Sequence, residues 1–186
     1  MLAGRARDDA MMRAIGRMLR GKRAGPEHRV AEDIRFAGAP RTLALTSPAF
    51  EAGAAMPESS MSPPLAWTGV PAGTQSLVLV VEDLDVPFPR PFVHAVAYGI
   101  DPAATHLDAG ALDPTRMPGM GYNSGGGRRY VTPAPLPGHG PHRYVFTLLA
   151  VAFVPHFDQA PTRGRLLDAI AGHVLALAEL TGTRER

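Results

Sequence analysis

Two carboxylates, two histidines and a tyrosine stand where apolar runs meet proline- or glycine-rich breaks. Asp83 and Asp85 follow the run Leu77-Val-Leu-Val-Val81, and Val86-Pro87 follows them. His94 lies inside Phe92–Ile100. His142 and Tyr144 flank Arg143 just after Pro133-Ala-Pro135-Leu-Pro137-Gly-His-Gly-Pro141. Paired carboxylates suit acid–base work, metal binding or the holding of a cation. The same spacing also suits a turn in which the carboxylates accept backbone N–H bonds. A histidine within a strand is either a satisfied core side chain or a donor turned to a ligand. His142 and Tyr144 are two apart, so in a strand they point one way and Arg143 the other. Two polar rings on one face, beside such a loop, suit an anion or head-group pocket. His139 falls in the loop and is expected to be exposed.

Other chemistries have less support. The chain has no cysteine. That excludes disulfides, thiolate metal sites and a cysteine nucleophile. Gly119-Met-Gly121 lacks the third glycine and the βαβ setting of a dinucleotide fingerprint, and Gly125-Gly-Gly127 lacks the Lys-Ser/Thr of a phosphate loop. There is no Gly-x-Ser-x-Gly elbow. Asp83, His94 and His142 match no zinc spacing. No metal and no cofactor is expected.

The elements that must position these residues read as mainly β. Gly (20) and Pro (19) are in excess, which calls for many turns and shaped loops. Ser76–Val81 is nearly all apolar and reads as a central strand. Leu43–Ser47, Phe92–Ile100 and Tyr144–Val154 read as further strands. Ser62-Pro-Pro-Leu-Ala-Trp67 is an extended segment that delivers the single tryptophan to the core or a pocket wall. Residues 101–129 form a connection too long to be idle. From Thr162 the spacing of Leu166, Leu167, Ile170, Val174, Leu177 and Ala178 predicts one helix, ended by Gly182.

Residues 1–35 read as a basic amphipathic extension and 36–186 as the domain proper. In the extension Met11, Met12, Ile15, Met18 and Leu19 share a face, and Arg13, Arg17, Arg20, Lys22 and Arg23 mark the other side and the end. Such a helix can lie on an anionic membrane surface, pack on its own domain or a partner subunit, or fray. Residues 1–30 hold eight Lys or Arg against three Asp or Glu, whereas the remainder is near neutral. Nucleic-acid binding by the domain is therefore not expected. No run approaches the roughly 18 apolar residues of a membrane span, and the charged N-terminus is unlike a secretory signal. The expected location is cytoplasmic.

Several separated motifs, in order, resemble the phosphatidylethanolamine-binding proteins, also called Raf kinase inhibitor-like proteins. Asp83-Leu-Asp85-Val-Pro87 is similar to their Asp-Pro-Asp-Ala-Pro motif, and Tyr130–Tyr144 to their Gly-x-Pro-x-Pro-Pro-x-Gly-x-His-Arg-Tyr motif. Ser62–Trp67, Val70-Pro-Ala-Gly73 and Gly172–Thr183 resemble the bacterial YbhB/YbcL-like branch. The resemblance covers about residues 43–183. It implies a β-sandwich of mostly antiparallel strands, to which the residue patterns add a C-terminal helix and an N-terminal helical extension without a family counterpart. It also implies a small pocket for a phosphate- or carboxylate-bearing ligand, such as a phospholipid head group. The implied binding residues are Asp83, His94, His142 and Tyr144, with Asp85 supporting and Pro133 alongside. A cis peptide before Pro87 is implied as well. The function so implied is non-catalytic binding. Alternatives are a regulator that inhibits a protein kinase or protease through the pocket loops, and a hydrolase using the Asp and His residues. A homodimer is compatible with the bacterial branch. The chain departs from the pattern at Leu84, which replaces a Pro, and at Val131-Thr132, which replace a small pair.

Overall fold

The computed structural model describes residues 2–117 and 119–186, with the side chains of 2–7 left aside. Seven strands form two antiparallel sheets. The smaller pairs β1 (Ala44–Thr46), β2 (Leu65–Thr68) and β5 (His106–Leu107) in the order β1-β2-β5. The larger orders β4 (Phe92–Ile100), β3 (Ser76–Asp83), β6 (His142–Val151) and β7 (Val174–Arg184) as β4-β3-β6-β7. β3 is buried along its whole length, because both faces of the sheet are covered. One face carries Leu77, Leu79 and Val81 with Tyr144, Phe146 and Leu148, and meets Leu45, Leu65 and Trp67 of the small sheet. The other carries Val78 and Val80 with Leu149 and Val151, under Leu166, Leu167 and Ile170 of the helix α2 (Arg163–Ile170). The continuous apolar run of β3 is the sequence trace of this two-sided burial.

The expected helix over 162–182 is a helix only to Ile170. Thr162 caps it, its side chain accepting from the Arg165 amide. Gly172, at φ 77°, breaks the chain direction, and Val174–Arg184 then pairs antiparallel with all of β6. Val174, Leu177 and Ala178 fit a helical spacing equally well. The pairing with β6 and burial on both faces decide for the strand, since tertiary context overrides the high helix propensity of Leu and Ala. The outer edge of β7 is covered. Gly53 and Met56 donate to the Thr181 and Thr183 carbonyls, and Leu177 donates to Pro40.

The N-terminal stretch divides in two. α1 (Leu2–Leu19) lies at the surface. Three short 3-10 turns follow, over 26–28, 30–32 and 34–36. These turns bring Val30, Ala31 and Phe36 into the second core cluster. Among the described residues no peptide bond is cis, so the bond before Pro87 is trans, contrary to expectation. Leu84 donates its N–H to the Arg143 carbonyl at 3.1 Å, a bond that a proline in its place could not make. Among the described residues no helix is long and apolar enough to cross a membrane.

Candidate functional site

Three adjacent strands end on one cluster. Asp83, the last residue of β3, is the register partner of Tyr144 on β6 and of Phe92 on β4. His142 and Tyr144 turn to the same side, while His94 approaches from β4. Asp83, His94, His142 and Tyr144 are 3%, 4%, 2% and 0% exposed, so the structure brings the four together and buries them. His142 Nδ1 lies 2.7 Å from Asp83 Oδ2, and Asp83 Oδ1 accepts the Asp85 N–H at 2.9 Å. Asp83 is thus a turn-closing acceptor, as one sequence reading has it, and partners His142 as well.

His94 is held by the long connection. Its Nδ1 lies 2.6 Å from the Val131 carbonyl, and Val131 donates back to the His94 carbonyl. Since a carbonyl only accepts, Nδ1 carries the proton. Loop 123–131 is itself stiffened by Asn123, which accepts from Gly125 and Gly127 and donates to the Arg129 carbonyl. Phe92 and Tyr144 stand edge-on to the His94 ring, with centroids 5.0 and 5.1 Å away. Burial holds His94 below the ordinary histidine range, opposed in part by the Val131 bond and the charge of Asp83. Burial, with the nearby charge of Asp83, pushes the Tyr144 phenol well up. Its hydroxyl therefore keeps its proton, yet it sits next to Asp83 without a hydrogen-bond partner of sound geometry.

His139, expected to be exposed, is 0% exposed. Gly138 and Gly140, both at positive φ, let the loop turn its side chain inward. His139 Nδ1 lies 2.9 Å from His142 Nε2, and its Nε2 lies 2.9 and 3.1 Å from the Leu19 and Lys22 carbonyls. The Leu19 and Lys22 carbonyls only accept, so His139 carries a proton on Nε2. Nothing in the sequence beyond a histidine three residues before His142 signals the contact between the two rings.

Asp85 does not join the cluster. Fully buried, it faces Arg143, accepting the backbone N–H at 2.7 Å and Nε and Nη2 at 2.8 Å each, and it pairs with Arg23. Burial alone would raise its pKa, but the bonds from Arg143 and Arg23 outweigh it and hold the carboxyl at about 2. Pro133 lines a separate cavity of about 90 Å³ with Tyr130, Pro63, Pro64 and Arg184. Tyr130 bridges the two places, its ring 6.3 Å from that of His94. A wider cleft of about 570 Å³ opens on the other side of β3. Its buried carboxylate, Glu82, already takes the Val30 N–H at 3.0 Å and pairs with Arg163. The chemistry-bearing side chains are thus gathered under the His139 loop, and the roomier cleft holds groups that neutralise each other.

The chain is thus a mainly β protein of two antiparallel sheets, with a buried Asp–His–Tyr cluster at one end of its central strands. The family model for phosphatidylethanolamine-binding protein matches residues 46–185, and the chain belongs to that family. A UPF0098 protein of Methanothermobacter thermautotrophicus is 37% identical over 130 residues, covering 68% of this chain and 84% of its own length. A phosphatidylethanolamine-binding protein homologue of Chlamydia trachomatis has a crystal structure that matches with a TM-score of 0.72 and 35% identity. That match covers 78% of this chain and 99% of the other. Escherichia coli YbcL matches equally well in fold, with a TM-score of 0.72, 78% of this chain and 99% of its own covered, at 24% identity.

Proposed function

We propose that this protein is a non-catalytic binding protein whose buried cluster takes a small phosphate- or carboxylate-bearing group, such as a phospholipid head group. The observation that carries the reading is the Tyr144 hydroxyl, a protonated donor buried beside two histidines and next to Asp83, without a hydrogen bond of sound geometry. A buried polar group left unpaired costs stability, and an anion oxygen would satisfy it. His94 adds the second contact. Its Nδ1 is committed to Val131, so Nε2 is the nitrogen left for a ligand, and it becomes a charged donor once the ring is protonated. Asp83 orients His142. Among the described residues no activated nucleophile accompanies the cluster, which favours binding over hydrolysis.

Isothermal calorimetry with inorganic phosphate tests this reading. Because burial holds His94 below the ordinary histidine range, affinity should rise as pH falls below that range. Tyr144→Phe removes one donor and should weaken binding about tenfold, the equivalent of a modest hydrogen bond. Equal affinity for the wild type and Tyr144→Phe at every pH would reject the site.

A further inference from the structure

The cluster is covered from outside by the chain's own N-terminal segment, and the cover is fastened by polar contacts. His139 reaches the carbonyl of Leu19, the last residue of α1, and that of Lys22 just beyond the helix. Arg20 donates to the Gly138 carbonyl, at 3.0 Å from Nη2. Arg23 pairs with Asp85, and the Gly25 N–H meets the Leu84 carbonyl. The approach is close enough to need glycine on both sides. A Cβ on Gly16 would lie 2.0 Å from the Pro137 carbonyl oxygen, and one on Gly138 would lie 2.7 Å from that of Arg13.

Docked in this way, α1 leaves its large apolar side chains in water. Met11, Met12, Ile15 and Met18 are 56%, 38%, 36% and 80% exposed. Positions 11, 15 and 18 lie one turn apart on a single strip, with Met12 beside it. A contiguous strip of this kind marks an interaction surface. Its surroundings select the partner. Residues 8–23 carry Arg13, Arg17, Arg20, Lys22 and Arg23 against Asp8 and Asp9. An apolar strip flanked by arginines matches a surface that offers acyl chains behind phosphates.

We infer that α1 is a lid on the Asp83–His142–His139 array, and that an anionic lipid surface is the partner that draws it off. Burying the strip in the lipid interface turns α1 away from loop 136–140. His139 then loses both of its carbonyl acceptors. The loop, released at Gly138 and Gly140, uncovers His142. What the opened cluster binds rests on the function proposed above, but the lid itself does not.

The test uses the full chain with vesicles of phosphatidylcholine, with and without phosphatidylglycerol. Co-sedimentation measures binding, and hydrogen–deuterium exchange of amides in 9–23 and 136–144 measures opening. The wild type should sediment with the anionic vesicles only, less at high salt, and exchange in 136–144 should rise at least tenfold when it does. The double variant Ile15→Asp/Met18→Asp, which alters only exposed side chains, should lose tenfold or more of the binding and all of the exchange response. Gly16→Ala should show raised exchange in 136–144 without vesicles. Undiminished binding by the double variant overturns the lipid surface as the partner. So does a dimer in light scattering that Met18→Asp dissolves, because the strip would then face a second copy. Lipid binding with unchanged exchange in 136–144, or unchanged exchange in Gly16→Ala, overturns the lid. A rise in exchange without any change in phosphate affinity supports the lid and counts against the anion pocket instead.

Discussion

Replacing Asp85 by asparagine should lower folding stability by about 3 kcal/mol. The carboxylate is fully buried and takes three donors from Arg143 and a further one from Arg23. Asparagine keeps an acceptor for the Arg143 backbone N–H, but it loses the charge and turns an NH₂ towards a guanidinium. Breaking a buried ion pair from one side costs about 3–5 kcal/mol. The low end applies because the Arg143 and Arg23 side chains are 40% and 34% exposed and stay hydrated. In a domain of this size that corresponds to a fall of about 6–12 °C in Tm. An acid titration gives a second handle. The folded carboxyl titrates at about 2, below the ordinary value near ~3.9. A depressed carboxyl stabilises the fold above its unfolded pKa and loses that contribution as pH falls through the folded one. The wild type should therefore shed on the order of 1–2 kcal/mol between about pH 4 and pH 2, after allowance for solvent screening. The variant lacks this contribution, so the gap in Tm between the two should narrow in acid. Circular-dichroism melts from pH 7 to pH 2 read both effects. A neutral-pH loss under about 2 °C, or a gap that stays constant into acid, would refute the structural role. A loss of phosphate affinity at unchanged Tm would return Asp85 to the binding site.

Two further outcomes are expected. Deleting residues 1–23 should leave a cooperative thermal transition. Deletion through 36 also removes Val30, Ala31 and Phe36, on the order of 5 kcal/mol of buried apolar contact, and should give a molten or insoluble product; similar melts for both truncations would show that the 3-10 turns are not part of the core. Gly182→Ala puts a Cβ 2.4 Å from Met56 Cγ and 2.8 Å from Phe50 Cε2, and urea unfolding should record a loss of about 1–3 kcal/mol, whereas an unchanged midpoint would mean that Met56 simply moves aside.

The strands that carry chemistry were legible because their signals are local. An apolar run ending in Asp83, a histidine within Phe92–Ile100 and the two-residue spacing of His142 and Tyr144 each fix a strand and a face. The motif resemblance then set them side by side. What escaped depends on distant partners. Val174–Leu180 carries a helical pattern, and only its pairing with β6 makes it a strand. The boundary expected near residue 36 cuts through 26–36, because Val30 and Phe36 are single apolar residues without periodicity. His139 sits between two glycines, in a context that reads as exposed loop. Its burial comes from residues about 120 positions away, and no local signal encodes such a contact.

The turn Asp83-Leu84-Asp85 explains why two carboxylates in one motif do different work. At the strand end Asp83 faces inward to His142, while the turn it closes through the Asp85 N–H sends Asp85 to the arginines. Leu84, between them, donates to Arg143 on β6 and accepts from Gly25 of the N-terminal segment. The charge that Asp85 places on the outer side holds Arg23, four residues beyond the end of α1. One residue of the pair therefore serves the cluster and the other fastens what covers it. The two-residue spacing is what allows this, because the intervening leucine keeps its N–H for the sheet and sends its carbonyl to the cover.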